Sequence, residues 1–176
     1  MKSSSKVLAF DYQGLTKIIS GGQVGADLGA LHAAKELQCP TGGWAPRGWR
    51  TQNGPFPVLA EFGLVEHFRP EYRFRTELNI ADSGGTLIVA ANLSSPGTAL
   101  TISCCNKLSK PMYVIRPSEV SAQSVTRVCE WIKADNIRVL NVAGNRDKSP
   151  SNLHYEASFN LVSSIILMLG LNKTDA

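Results

Sequence analysis

The chain is short of the residues that hold metals. Its four cysteines, Cys39, Cys104, Cys105 and Cys129, form no CxxC pair, and the adjacent Cys104 and Cys105 cannot chelate an ion by themselves. They read as buried, reduced thiols of a cytosolic protein. Histidine occurs only as His32, His67 and His154. Neither of the last two stands at ligand spacing from a carboxylate or a cysteine, and His32 reads as a packing or surface residue of a helix. No metal site is expected, and no Ser-His-Asp or Cys-His arrangement is legible. Long apolar runs are missing as well. "IILML" at 165–169 is far too short to span a bilayer, and "VLAF", after Lys2 and Lys6, is too short for the core of a signal peptide. These absences predict a soluble, cytoplasmic protein without a membrane partner.

Charge is sparse too. Charged residues make up 18% of the 176 and hydrophobic residues 43%, which excludes a disordered chain and fits one globular domain. The net charge of +4, with a pI near 9.0, suits an anionic ligand. Nucleic acid would need a basic stripe with interleaved aromatics, and only residues 44–50 have that character.

What is present is an alternation. Residues 1–14 read as a loose lead-in, and 15–172 as a single domain. "TKIIS" is a short buried strand, and from Ala26 the residues Leu28, Leu31, Ala34 and Leu37 recur at helical spacing. Residues 41–57, with four glycines and three prolines, predict a long loop. A short helix follows over 70–83. Strands over 85–91, 111–117 and 137–144 then alternate with helices over 94–110, 118–136 and 152–171. Continuous apolar strands between helices predict an α/β fold of Rossmann-like type, three layers deep, with a mainly parallel sheet. The apolar last helix, with Leu161, Ile165 and Leu169, reads either as core or as the interface of a homo-oligomer.

In such sheets ligands bind outside the carboxyl ends of the strands. Three of those ends carry unusual loops. "SGGQVGAD" puts glycines before a helix N-terminus, which reads equally as a tight connection or a phosphate cradle. It is neither a GxGxxG fingerprint nor a Walker A loop. "SSPGTALT" at 94–101 repeats that logic, with Ser95 or Thr98 available as a helix cap. "NVAGNRDKSP" at 141–150 adds Arg146 and Lys148 to neutralise a phosphate, and Asn145 and Ser149 to hydrogen-bond it. In the long loop, Trp44 reads as a core plug, while Trp49, beside Arg47 and Arg50, can cover a planar ring. The candidate acid/base group is Glu77, flanked by Arg75 and Asn79, although an Arg beside a Glu also reads as a structural ion pair.

Together, "SGGQVGADLGAL", "GGWAPRG", "RTELNIADS", "TLIV", "SPGTALT", "KP" and "NVAGNRDKSP" resemble, in that order, the circularly permuted YpsA-like branch of the SLOG superfamily, also labelled a molybdenum carrier family. The resemblance runs from Ile18 to the final helix. It implies a fold shared with cytokinin-activating phosphoribohydrolases and lysine decarboxylase-like proteins, and a phosphorylated, nucleotide-like ligand. The implied contacts are Gly21, Gly22, Gln23, Gly25 and Asp27, then Gly97 and Thr98, then Arg75, Glu77 and Asn79, and finally Asn141, Gly144 and Arg146. Arg47 is a further candidate for charge. The carrier label implies molybdopterin as an alternative to a nucleotide.

Three departures bear on activity. The resembling hydrolases carry a Glu where this chain has Thr101. The closer family is expected to carry an acidic pair where this chain has Gln52-Asn53, and an Asp near Gly84. Fewer carboxylates favour binding over chemistry. If the ligand is turned over, the resemblance implies a nucleoside-phosphate N-glycosidic hydrolase with Glu77 as general base.

Overall fold

The computed structural model of the chain describes residues 12–171. Residues 1–11 of the expected lead-in, and residue 172 of the expected domain, lie outside them. Tyr12 is already anchored, its half-buried hydroxyl donating to the Ile137 carbonyl at 3.0 Å.

The fold is α/β and Rossmann-like. Its strands are β1 (Lys17–Ser20), β2 (Thr41–Ala45), β5 (Leu64–Glu66), β6 (Gly85–Val89), β7 (Met112–Ile115) and β8 (Val139–Gly144), with a small hairpin of β3 (Arg50–Thr51) and β4 (Gly54–Pro55) to one side. The six form one sheet in the order β5-β2-β1-β8-β6-β7, parallel at every pairing. Five helices cover it: α1 (Ala26–Glu36), α2 (Tyr72–Ala81), α3 (Pro96–Lys107), α4 (Ala122–Ala134) and α5 (Leu153–Leu169).

The main core lies on one face. Ile18, Leu87, Val89, Leu140 and Val142 point from the sheet into alanines of α1 and into Val125, Val128, Ile132, Leu161 and Ile165 of α4 and α5. The last helix therefore uses Leu161 and Ile165 as core, with Leu169 packed beside them. On the other face α2 packs on α3 around Ile80, Cys104 and Cys105. The central strand β6, with the β-branched residues Thr86, Ile88 and Val89, is buried at all five positions, as a strand covered on both sides must be.

The long loop expected over 41–57 is not one. Its first five residues are β2, paired with β1 at Ile18–Thr41 and with β5 at Trp44–Val65. Propensity argues against a strand in "TGGWA", but pairing on both sides overrides it. Asn79 of α2 completes the fixing: its Oδ1 accepts from Trp44 N at 2.8 Å and its Nδ2 donates to Trp44 O at 3.1 Å. The core plug is Trp49 instead of Trp44. Trp49 packs on a small cluster of Leu31, Ala45, Leu59, Phe62 and Leu64. Trp44 stays half-exposed, its Nε1 donating to Asp82 at 2.8 Å.

All four cysteines are free and buried. Burial raises every one of these thiols above its ordinary pKa, Cys39 to about 11. Thiolate is the reacting form. A disulfide-exchange reagent at pH 8 is therefore expected to leave the native protein unmodified over minutes and to titrate four thiols per chain once it is unfolded in denaturant.

Candidate functional site

Because every strand is parallel, β1, β6 and β8 end at the same edge of the sheet. β8 lies between β1 and β6, so the loops at 21–25, 90–95 and 145–152 meet there. The second and third border a crevice of about 610 Å³, lined by residues 94–98, Gly144, Asn145, Arg146 and Lys148, with Gln52 and His154 also in its wall; Gln23 of the first lines a smaller hollow beside it.

The first loop is shaped by close approaches. Gly21 lies flat beneath the Arg75 guanidinium, which a Cβ would overlap. Gly25, at φ 90°, precedes α1 and touches the Asn145 carbonyl. Gly22 packs under Leu59 and Leu64, away from the crevice. The α1 N-terminus is satisfied from within. Ala26 N donates to Asn145 O at 3.2 Å, and the buried Asp27 carboxylate accepts from Gln23 N at 3.2 Å and faces Arg75 Nη1 at 3.6 Å. Burial pushes the Asp27 carboxyl above its ordinary pKa, and Arg75 opposes that rise. This helix dipole already has its anion.

The third loop does the same for α5. Asp147 accepts from His154 N at 2.9 Å and from Tyr155 N at 2.8 Å, and pairs with His154 Nδ1 at 2.8 Å. His154 Nε2 accepts from Ala91 N at 3.3 Å. With one ring nitrogen accepting, the network places the proton on Nδ1, toward Asp147.

The second loop differs. Asn145 is buried and reaches into it. Its Oδ1 accepts from Asn92 N at 2.8 Å, and its Nδ2 contacts Asn92 O at 2.9 Å, Ser95 Oγ at 2.9 Å and Thr98 Oγ1 at 2.8 Å. Ser95 and Thr98, the two expected caps, accept from Asn145 instead, and α3 has no side-chain cap. The Gly97 and Thr98 N–H groups therefore have no acceptor among the described residues. Gly97 faces open space, with nothing within 4 Å of where a Cβ would stand. Arg146 and Lys148 are exposed on the opposite wall.

Of the residues singled out above, Gln23, Asp27, Arg75, Gly97, Thr98, Gly144 and Arg146 converge here. Others do not. Glu77 lies between α2 and α3, bonded to Arg73 Nε at 3.0 Å and facing Lys107 Nζ at 3.8 Å. Asn79 fixes β2. Asn141 is buried within β8, its Nδ2 donating to Thr86 Oγ1 at 3.2 Å. Arg47 is exposed in the turn after β2, its N–H bonded to Arg69 O at 3.0 Å. Thr101 donates to Gly97 O at 3.0 Å. Two features escaped the reading of the sequence. The Asp147–His154 pair joins a loop to the first turn of the next helix, and the Tyr72 ring gathers three arginines. No local signal marks the first, since Asp147 stands five residues before Asn152, the residue that precedes α5.

Residues 18–166 match the model of the circularly permutated YpsA SLOG family. A solved structure from Syntrophus aciditrophicus SB, named "putative molybdenum carrier protein" and determined at 1.45 Å, is 36% identical and superposes with a TM-score of 0.80, over 87% of this chain and 96% of that one. No curated protein matches.

The Asn145 amide sets the expected mutational response. Asn145→Ala leaves a buried loop without its donors and acceptor and is expected to lower stability by about 2 kcal/mol. Faster amide exchange at residues 92–98 than in the rest of the edge is the accompanying sign. Denaturant titration and hydrogen exchange check both.

Proposed function

Because the chain belongs to the circularly permutated YpsA branch of the SLOG family, we propose that it binds a phosphorylated, nucleotide-like ligand in this crevice rather than transforming one. The observation that carries this reading is the open N-terminus of α3. Its Gly97 and Thr98 N–H groups lack acceptors, while α1 and α5 hold their own carboxylates. An unfilled helix N-terminus attracts a phosphate. Arg146 and Lys148 supply countercharge, and about 610 Å³ is within the range of small-molecule sites.

The name of the Syntrophus protein makes molybdopterin, a pterin that carries a phosphate, one form of such a ligand. The donor set suits it: N–H groups and cations for the phosphate, and amide and hydroxyl groups of Asn92 and Ser94 toward a ring. Among the described residues there is no cluster of three or more His, Cys, Asp or Glu to hold an ion directly. Molybdenum would therefore enter as part of the cargo. Hydrolysis at the glycosidic bond has weaker support, since no carboxylate lines the large crevice and Glu77 is engaged elsewhere. Among the described residues no helix is long and apolar enough to cross a membrane, which agrees with a small-molecule partner.

Thermal-shift and calorimetric titration with nucleosides, nucleoside phosphates and phosphorylated pterins test the proposal. Phosphorylated compounds are expected to raise the midpoint as RT ln(1 + [L]/Kd) requires, and their parent nucleosides are not. Lys148→Gln is expected to weaken binding about fivefold to tenfold, and Gly97→Asp to abolish it by placing a carboxylate at the helix N-terminus. Equal stabilisation by nucleosides and their phosphates would remove the phosphate from the account. Glu77→Gln is expected to change neither affinity nor any release of free base.

A further inference from the structure

Beside the crevice lies a second, smaller hollow of about 40 Å³, which shares Gly97, Gly144 and Arg146 with it. Gln23, Asp27, Tyr72 and Arg75 complete the walls that matter here. A hollow of that size suits a small group at the edge of the crevice and is far too small for a nucleotide.

Its chemistry is one-sided. Arg146, Arg75 and Arg50 stand 5.0, 5.7 and 5.8 Å from the centre of the Tyr72 ring. Cation–π attraction holds each of them, but it does not cancel their mutual repulsion. The one carboxylate in the wall, Asp27, is taken up by Arg75 and Gln23 N. Arg50 and Arg146 form no ion pair among the described residues.

Two buried donors lack acceptors as well: Gln23 Nε2 and Arg75 Nε. Gln23 is 4% exposed. The orientation of its amide follows from its bonds, because Oε1 accepts from Val24 N at 3.1 Å and from Gln52 N at 2.8 Å. Backbone N–H groups can only donate, so the oxygen must face them and the NH₂ must face away. A buried amide donor without an acceptor is costly, and native proteins rarely leave one. Surplus guanidinium charge, orphaned donors and a small volume all call for the same missing group.

We propose that this hollow binds one tetrahedral oxyanion, either the terminal phosphoryl group of the crevice ligand or a free ion such as phosphate, sulfate or molybdate, with Gln23 Nε2, Arg75 Nε and the Arg146 guanidinium as donors. The proposal deepens the phosphate-binding reading of the crevice, on which it rests. It adds a separate seat for the anion, and it gives Gln23 a role that its place in a glycine-rich loop does not.

Calorimetry in a phosphate-free buffer at low ionic strength tests it. The titrants are sodium phosphate, sodium sulfate, sodium molybdate and a nucleoside monophosphate. Gln23→Glu keeps the acceptor for Val24 N and Gln52 N but turns the donor into a negative oxygen. Arg75→Lys keeps a charge opposite Asp27 but removes Nε. Each is expected to weaken oxyanion binding about tenfold or more. Arg73→Gln, on the outer side of the same helix, is expected to leave it unchanged. Circular dichroism verifies folding, and if one variant unfolds the other decides. If the free ions bind and are lost in the variants, a free ion is the occupant. If only the nucleotide binds and is weakened, its phosphoryl group is. If no titrant responds to either folded variant, the inference fails, and nucleotide binding that still depends on Lys148 and Gly97 would leave the crevice reading standing. Free-ion binding that depends on Gln23, with nucleosides bound as tightly as their phosphates, would do the reverse.

Discussion

The amide of Asn145 sits where three strands end and holds the loop after β6 by both of its polar atoms. By drawing Ser95 Oγ and Thr98 Oγ1 onto its Nδ2, it takes the two hydroxyls that would otherwise close α3. An uncapped helix end normally costs about 1 kcal/mol. Here the same hydroxyls satisfy a buried amide instead, and the N–H groups of Gly97 and Thr98, residues that line the crevice, keep no acceptor among the described residues. Its backbone carbonyl, in turn, closes the start of α1 by accepting from Ala26 N. One residue thus fills one helix N-terminus and keeps its neighbour open.

The electrostatics of this edge follow from that arrangement. Asp27 lies in the first turn of α1, and Asp147 caps α5 from the loop before it, so two of three adjacent helix N-termini already face a carboxylate of the chain itself. The third does not, and the free cations stand around it. For the proposed ligand, the position of these charges matters more than their total, since a net charge of +4 over the whole chain is small.

Much of this edge could be read in advance, and the reasons for the exceptions are specific. Runs such as "GTLIV" are strands because they are largely apolar and rich in β-branched residues, and the loops at 21–25 and 90–95 carry the small residues that close approach demands. The strand β2 is masked because Gly42 and Gly43 offset the strand preference of Thr41 and Trp44; its pairing with β1 and β5 decides it. Glu77 takes the ion-pair reading, but with Arg73 instead of Arg75, because of helix phase. Arg75 and Asn79, four residues apart, face inward on α2, while Arg73 and Glu77, also four apart, face outward and pair with each other. The Asp147–His154 contact depends on how the loop between them folds, which no local pattern encodes.

Gln23 faces two ways. Its oxygen accepts from Gln52 N on the β3–β4 hairpin, and its nitrogen lines the small hollow. The side chain of Gln52 continues the link by donating to Asp147 O at 3.2 Å. A change in the hairpin therefore reaches the anion seat through a single rigid amide. Substitutions at 23 and 52 both bear on where the hairpin sits, so their joint effect is expected to depart from the sum of their separate effects.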